Sequence, residues 1–162
     1  MIADCKAISA KFMEEVKLQR STLDPLNSED DIEQYEVSEK ELRELFERFK
    51  VIMSLKTVLE YYRDNDKEKG KYNEHNDVVY LPYCIGFGDE KDMVEVMAHE
   101  LFHAFQYYAI CNPGSYPCFG EKTVMAWGEE FKNYVNGDDD MHQYYGQENE
   151  KSAREFGKMM LQ

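Results

Sequence analysis

The stretch Ala98-His99-Glu100-Leu101-Phe102-His103-Ala104-Phe105-Gln106 decides the fold, because it places two histidines four residues apart around a glutamate. At about 3.6 residues per turn, His99 and His103 lie one above the other on one helix face. Their neutral imidazoles suit Zn²⁺, so this HExxH spacing predicts a shared metal ion. Glu100 lies about 100° round the helix, beyond the metal's own ligands but close to a water on that metal. Glu100 is therefore the predicted general base for hydrolysis.

The residues on both sides of this stretch are typical of a capped, amphipathic helix. Asp89 follows Gly88 at a position where an acidic N-cap is favoured. The run is expected to end near residues 109–110, because residues 111–114 break a helix. Apolar residues recur at helical spacing opposite the histidines: Val94, Met97, Ala98, Leu101, Phe105 and Tyr108.

Two further helices are predicted in the N-terminal half. Residues 2–19 carry an apolar stripe made of Ile2, Cys5, Ile8, Phe12 and Val16. A polar connection follows over residues 21–37, with a short extended piece expected at 35–37. Ser38 and Glu41 then form a capping-box pattern, which predicts a long helix that ends near Arg63. Its apolar face is expected to hold Leu42, Leu45, Phe46, Phe49, Ile52, Met53, Leu59 and Tyr62. The charged residues 64–70 are interpreted as a solvated turn.

A β-hairpin is predicted immediately before the HExxH helix. Residues 71–73 and 78–81 have strand character, and the turn-forming residues 74–77 separate them. Pro82 marks the second strand as an edge strand or as a strand end. His75 lies in the turn and is expected to be exposed to solvent.

Two helices are predicted after the breaker at residues 112–117. The first covers about 122–136 and ends at Asn136-Gly137, a helix-stop signal. The acidic residues 138–140 lack the spaced ligands of a calcium loop and are interpreted as solvated surface. The last helix covers about 147–161.

Composition limits the kinds of partner. The chain has 162 residues, enough for one domain with its own core, and a formal net charge of −14. So acidic a protein is not expected to bind nucleic acid or an anionic membrane, since both require basic patches. No apolar stretch approaches the roughly 18 residues of a membrane helix. The N-terminus lacks a signal-peptide pattern, so a cytoplasmic location is expected, with Cys111 and Cys118 as reduced thiols.

A catalytic zinc takes three protein ligands, so the chain must supply a third one after His103. Glu150 near the start of the last helix is favoured, because Ala153 is small enough to let that helix approach the HExxH helix closely. Phe156 and Met160 continue its buried stripe. Three further candidates are Glu129, which resembles the ligand in the glutamate helix of aminopeptidase-type gluzincins, the adjacent Glu130, and His142 as a third histidine.

The segment 150–161 fits the pattern E-x-x-A-x-x-F-[A/G]-x-x-x-L, and in this the chain resembles the ImmA/IrrE-type metallopeptidases. The preceding hairpin is also similar to theirs, so the resemblance covers roughly residues 72–161. It implies an α+β, zincin-like domain of gluzincin type, mostly helical, with a small sheet before the HExxH helix. We expect one domain over residues 1–162: a helical scaffold (1–64), the hairpin with the active-site helix (70–110), and C-terminal helices with the glutamate ligand (120–162).

The expected function is a zinc-dependent peptidase with His99, His103 and Glu150 as metal ligands, Glu100 as base, and a peptide or protein as substrate. A peptide could bind by β-augmentation along residues 78–81, if that strand forms the edge of the cleft. Relatives of the resembled family often act on one partner such as a repressor. A partner-specific protease, or a zinc-containing binding module, is therefore the second hypothesis. A closed structural zinc site is disfavoured, since such a site has no need of Glu100.

Overall fold

The computed structural model describes residues 1–22, 37–62, 70–87, 89–114, 119–135, 137 and 139–162. These residues form a mostly helical α+β fold with one small sheet before the HExxH helix, which confirms the predicted fold class. In chain order the elements are α1 (Ile2–Thr22), α2 (Glu39–Met53), β1 (Val58–Tyr62), β2 (Lys71–Asn73), β3 (Val78–Pro82), a 3₁₀ turn (Tyr83–Phe87), α3 (Glu90–Cys111), α4 (Glu121–Lys132), α5 (Met141–Gly146) and α6 (Glu148–Met159).

The HExxH helix, α3, lies at the centre of the fold and packs against α1, α2, α4, α6, β2 and β3. It begins as predicted, because the side chain of Asp89 accepts a hydrogen bond from the Lys91 N–H at 2.8 Å. Its predicted apolar face is buried, except that Tyr108 is 38% exposed. The tyrosine follows the helical spacing, but it lies in the last turn of α3.

The long helix predicted after Ser38 is shorter in the structure. The capping box of Ser38 and Glu41 is present, but α2 ends at Met53. Ser54 then adopts a left-handed conformation with φ of 57°, which stops the helix. Leu59 and Tyr62 therefore lie on β1, where β-branched and aromatic residues favour a strand that pairs with β3. The predicted helical scaffold (1–64) therefore also contains a strand, β1.

The sheet has the strand order β1-β3-β2, with β1 parallel to β3 and β2 antiparallel to β3. The predicted hairpin is confirmed, and Pro82 is the last residue of β3. β3 is the central strand, so the expectation that residues 78–81 form an edge of the cleft is wrong: both of its edges are already paired. Arg43 covers the outer edge of β1, since its Nη1 donates to the Leu59 carbonyl at 2.9 Å.

The C-terminal third contains one more helix than predicted. α4 ends at Lys132 rather than near Asn136, because the Asn133 N–H closes the last turn on Glu129 O and Glu130 O. The short helix α5 has no counterpart among the predicted elements. Asp140, expected to be solvated surface, is its N-cap and accepts the N–H groups of His142 and Gln143 at 3.0 Å.

The final helix, α6, packs closely against α3, as its small residues predicted. Ala153 is fully buried, and Phe156 stacks on Phe102 with ring centroids 4.7 Å apart. The two helices also approach closely at Gly157, where an added Cβ would lie 2.8 Å from the carbonyl oxygen of Glu95. A helix with larger side chains at these positions could not bring its first turn to the histidines.

Some predicted features concern residues outside those described: the extended piece at 35–36, the turn at 64–69, Asp138 and Cys118. Cys111 is a free thiol, as predicted, and so are Cys5 and Cys84. Cys5 is buried, whereas Cys84 and Cys111 are exposed. Within the described ranges, no helix has both the length and the apolar character needed to cross a bilayer.

Candidate metal centre

Three side chains from two helices converge as the sequence predicted. His99 and His103 lie one turn apart on α3, with their Nε2 atoms 3.0 Å apart. Glu150, in the first turn of α6, places Oε1 3.3 Å from His103 Nε2 and Oε2 3.5 Å from His99 Nε2. The three ligand atoms lie within 4.8 Å of one another. His103 and Glu150 are buried, while the His99 side chain is 16% exposed.

The spacing and chemistry of this cluster fit a metal ion. Ligands that each lie about 2.0–2.1 Å from a tetrahedral zinc are about 3.4 Å apart, close to the separations observed here. Glu150 Oε2 is buried and has no partner at hydrogen-bonding geometry among the described residues, since His99 Nε2 and Arg154 Nη1 lie 3.5 and 3.6 Å away. A metal ion between the histidines and this oxygen would give it a direct ligand bond. Two imidazoles and one carboxylate also suit other transition metals, so the geometry shows a possible metal site rather than a particular metal.

The charge of Glu150 is set by its neighbours. Burial alone would raise its pKa, but interactions with His103 and His99 hold the pKa well below its usual range, so the carboxylate is ionised. Tyr134 donates its hydroxyl proton to Oε1 at 2.7 Å. Arg154 Nη1 lies 3.6 Å from Oε2, and the same guanidinium donates through Nη2 to the Tyr145 carbonyl. Glu150 is thus a charged ligand enclosed by donors.

Glu130, another candidate for the third ligand, has a different role in the structure. Its two carboxylate oxygens accept the N–H groups of Glu148 and Asn149, each at 2.8 Å. These N–H groups belong to the first turn of α6, where the helix itself supplies no acceptor, and the side chain of Gln147 at the N-cap position forms no cap. Glu130 therefore caps α6 from α4 and fixes the turn that carries Glu150.

Glu129 and His142 do not reach the cluster. Glu129 is exposed and pairs with Lys132 at 2.9 Å. His142 is exposed on α5 and lies outside the cluster. His75 is exposed in the hairpin turn, as predicted. The structure thus selects Glu150 among the candidates for the third position.

Glu100 lies beside the cluster, on the side of the sheet. Its carboxylate is buried and accepts the N–H of Tyr72 on β2. Burial raises its pKa, against the opposing effect of the two histidines. Gly70 leaves room for it, since a Cβ added there would lie 3.1 Å from Glu100 Cγ. The glutamate is held by the hairpin, away from the three ligand atoms.

Gln106 is a residue of this site that the sequence analysis did not identify as functional. Its side chain is fully buried and bridges His103 on α3 to the first turn of α6. Its spacing is the feature of the sequence that indicates a place near the site, because a residue three positions after His103 lies on the same helix face. The sequence pattern offers no comparable signal for Tyr134.

Comparison with protein-family models, curated proteins and solved structures finds no match for this chain. The resemblance to the ImmA/IrrE-type metallopeptidases therefore stays a prediction that is based on the sequence motifs.

Proposed function

We propose that this protein is a zinc-dependent peptidase. The observation that carries the proposal is the convergence of His99, His103 and Glu150 on one point, with Glu100 held separately beside them. His99, His103 and Glu150 would hold the zinc. When bound, zinc would polarise a peptide carbonyl and make a water molecule more acidic.

Glu100 is suited to the role of general base. Its buried position raises its pKa above that of an ordinary glutamate, which favours accepting a proton from the attacking water. The Tyr72 N–H fixes the direction of the carboxylate. As the peptide bond breaks, Glu100 would return the same proton to the leaving amine nitrogen.

β2 is an outer strand of the sheet, and among the described residues no strand pairs with its other edge, which offers a place for an extended substrate. In an antiparallel pair, the N–H and C=O of one residue point to the same side. The Tyr72 backbone N–H interacts with Glu100. If that N–H lies on the outer edge of β2, the Tyr72 carbonyl lies on the same edge. A peptide strand could pair with this carbonyl and lie beside Glu100, so β2 rather than β3 is the proposed docking strand.

Tyr134 is a candidate donor to the oxyanion formed during hydrolysis. It is 49% exposed, and its hydroxyl lies 2.7 Å from a carboxylate oxygen of Glu150. Burial and the neighbouring Glu150 charge raise the pKa of Tyr134, so its hydroxyl stays protonated. Its one proton is donated to Glu150 Oε1, so the hydroxyl would have to turn away from that carboxylate to donate to the oxyanion.

The test compares wild type with Glu100→Gln, using zinc-loaded protein and a mixed peptide library analysed by mass spectrometry. We expect wild type to cleave, and the variant to bind equal zinc while losing about 10²- to 10⁴-fold in rate. Equal rates for the two proteins would contradict the proposed base. An intact library together with cleavage of a single cellular protein would support a partner-specific protease instead.

A further inference from the structure

Gln106 makes three hydrogen bonds in the buried interface between α3 and α6. Its Oε1 lies 2.9 Å from His103 Nδ1. Its Nε2 donates to the Asn149 carbonyl at 3.0 Å and to Ser152 Oγ at 2.9 Å. The side chain therefore contacts one histidine of the metal centre and the backbone immediately before Glu150.

The neighbouring groups fix which end of the Gln106 amide faces the histidine. Ser152 has one hydroxyl proton, and it donates that proton to the Glu148 carbonyl. Its oxygen can therefore only accept from Gln106, and it also accepts from Trp127 Nε1 at 3.2 Å. The Asn149 carbonyl is an acceptor as well. Both need the NH₂ end of the amide, so its oxygen must point to His103.

An amide oxygen cannot donate, so the proton in this contact belongs to His103 Nδ1. We infer that Gln106 is a positioning residue of the metal centre: it holds His103 with the Nε2 lone pair directed at the metal and joins this ligand to the helix of Glu150. Metal-binding histidines commonly need such a partner on the second nitrogen. The inference rests on the metal-binding part of the proposed function and does not require proteolysis.

The first test compares Gln106→Leu with Ser152→Ala. Both remove hydrogen bonds from the same α3–α6 interface, but only the first removes the contact with His103. Zinc affinity is measured by competition with a chromophoric chelator, and circular dichroism of the metal-free proteins checks the fold. We expect Gln106→Leu to lose about 10- to 100-fold in affinity and Ser152→Ala to lose far less, because the Asn149 carbonyl still orients the Gln106 amide in that variant. Equal affinities for all three proteins would overturn the inference.

A second test needs no variant, so it holds even if Gln106→Leu fails to fold. Nitrogen NMR of zinc-loaded wild type with ¹⁵N-labelled histidine reports the state of each ring nitrogen. We expect His103 to carry a slowly exchanging proton on Nδ1 and the metal on Nε2. The reverse assignment would overturn the inference. A protein that shows the expected signals and affinities but cleaves nothing would contradict only the proposed peptidase activity.

Discussion

Three glutamates near the C-terminus show how the surroundings of a side chain decide its role. Glu129 pairs with Lys132 at the surface, Glu130 caps a helix, and Glu150 faces two histidines. All three follow the HExxH motif and satisfy the chemical requirement for a third ligand. What separates them is burial and the direction in which each helix points, and both depend on how α4 and α6 pack on α3.

Gly70 is the residue whose lack of a side chain leaves space for the proposed base. A Cβ at this position would lie 3.0 Å from both Leu81 Cδ2 and Val96 Cγ1, and 3.1 Å from Glu100 Cγ. In Gly70→Ala we expect Glu100 to shift, and kcat to fall by up to about 100-fold because a base misplaced by about 1 Å works poorly. Zinc content should be unchanged, since the three atoms nearest to the added Cβ belong to none of the proposed ligands.

The matched control for that variant is Gly146→Ala, where an added Cβ meets nothing within 4 Å. Peptide cleavage and zinc content are measured for both variants. A Gly70→Ala protein with the kcat of Gly146→Ala would show that Glu100 is not constrained by this contact.

At the scale of elements, α6 depends on α4 for its N-terminal cap. We expect Glu130→Ala to lower the free energy of unfolding by about 1 kcal/mol, as is usual for the loss of a cap. Glu129→Ala, which removes an exposed carboxylate from the same helix, should change it by less than about 0.5 kcal/mol. Urea unfolding of the metal-free proteins measures both. Equal stabilities would show that Glu130 is dispensable for α6.

Local patterns predicted the elements whose ends carry their own signals. Asp89 caps α3, Ser38 caps α2, and residues 74–77 turn the hairpin, and all three lie where the sequence indicated. The end of α2 could not be predicted, because Ser54 takes a left-handed conformation that its sequence does not demand. β1 could not be predicted either, because its partner strand, β3, is distant in the chain and Leu59 also fits the helical spacing of the residues in α2.

The same limit applies to the candidate site. Spacing alone identified His99, Glu100 and His103, because all three lie within about one helix turn. Glu150 required the small residue Ala153 as a further indication of close helix packing. The role of Gln106 could not be predicted, since it depends on Asn149 and Ser152, which reach it only through the fold.

At the scale of the whole molecule, the candidate metal site lies between α3, the central helix, and α6, the last helix described. An ion bound only by the folded protein stabilises it by about 2.7 kcal/mol at a concentration 100 times its Kd. For a chain of this length, that corresponds to a rise in Tm of about 5–11 °C. We expect zinc to produce such a rise in wild type and chelation to reverse it, as followed by scanning calorimetry.

The variant Glu150→Gln should show a much smaller rise in Tm with zinc than Glu129→Gln, because only Glu150 of these two glutamates contacts the two histidines across the helix interface. Equal rises in the two variants would mean that the ion does not bridge these helices.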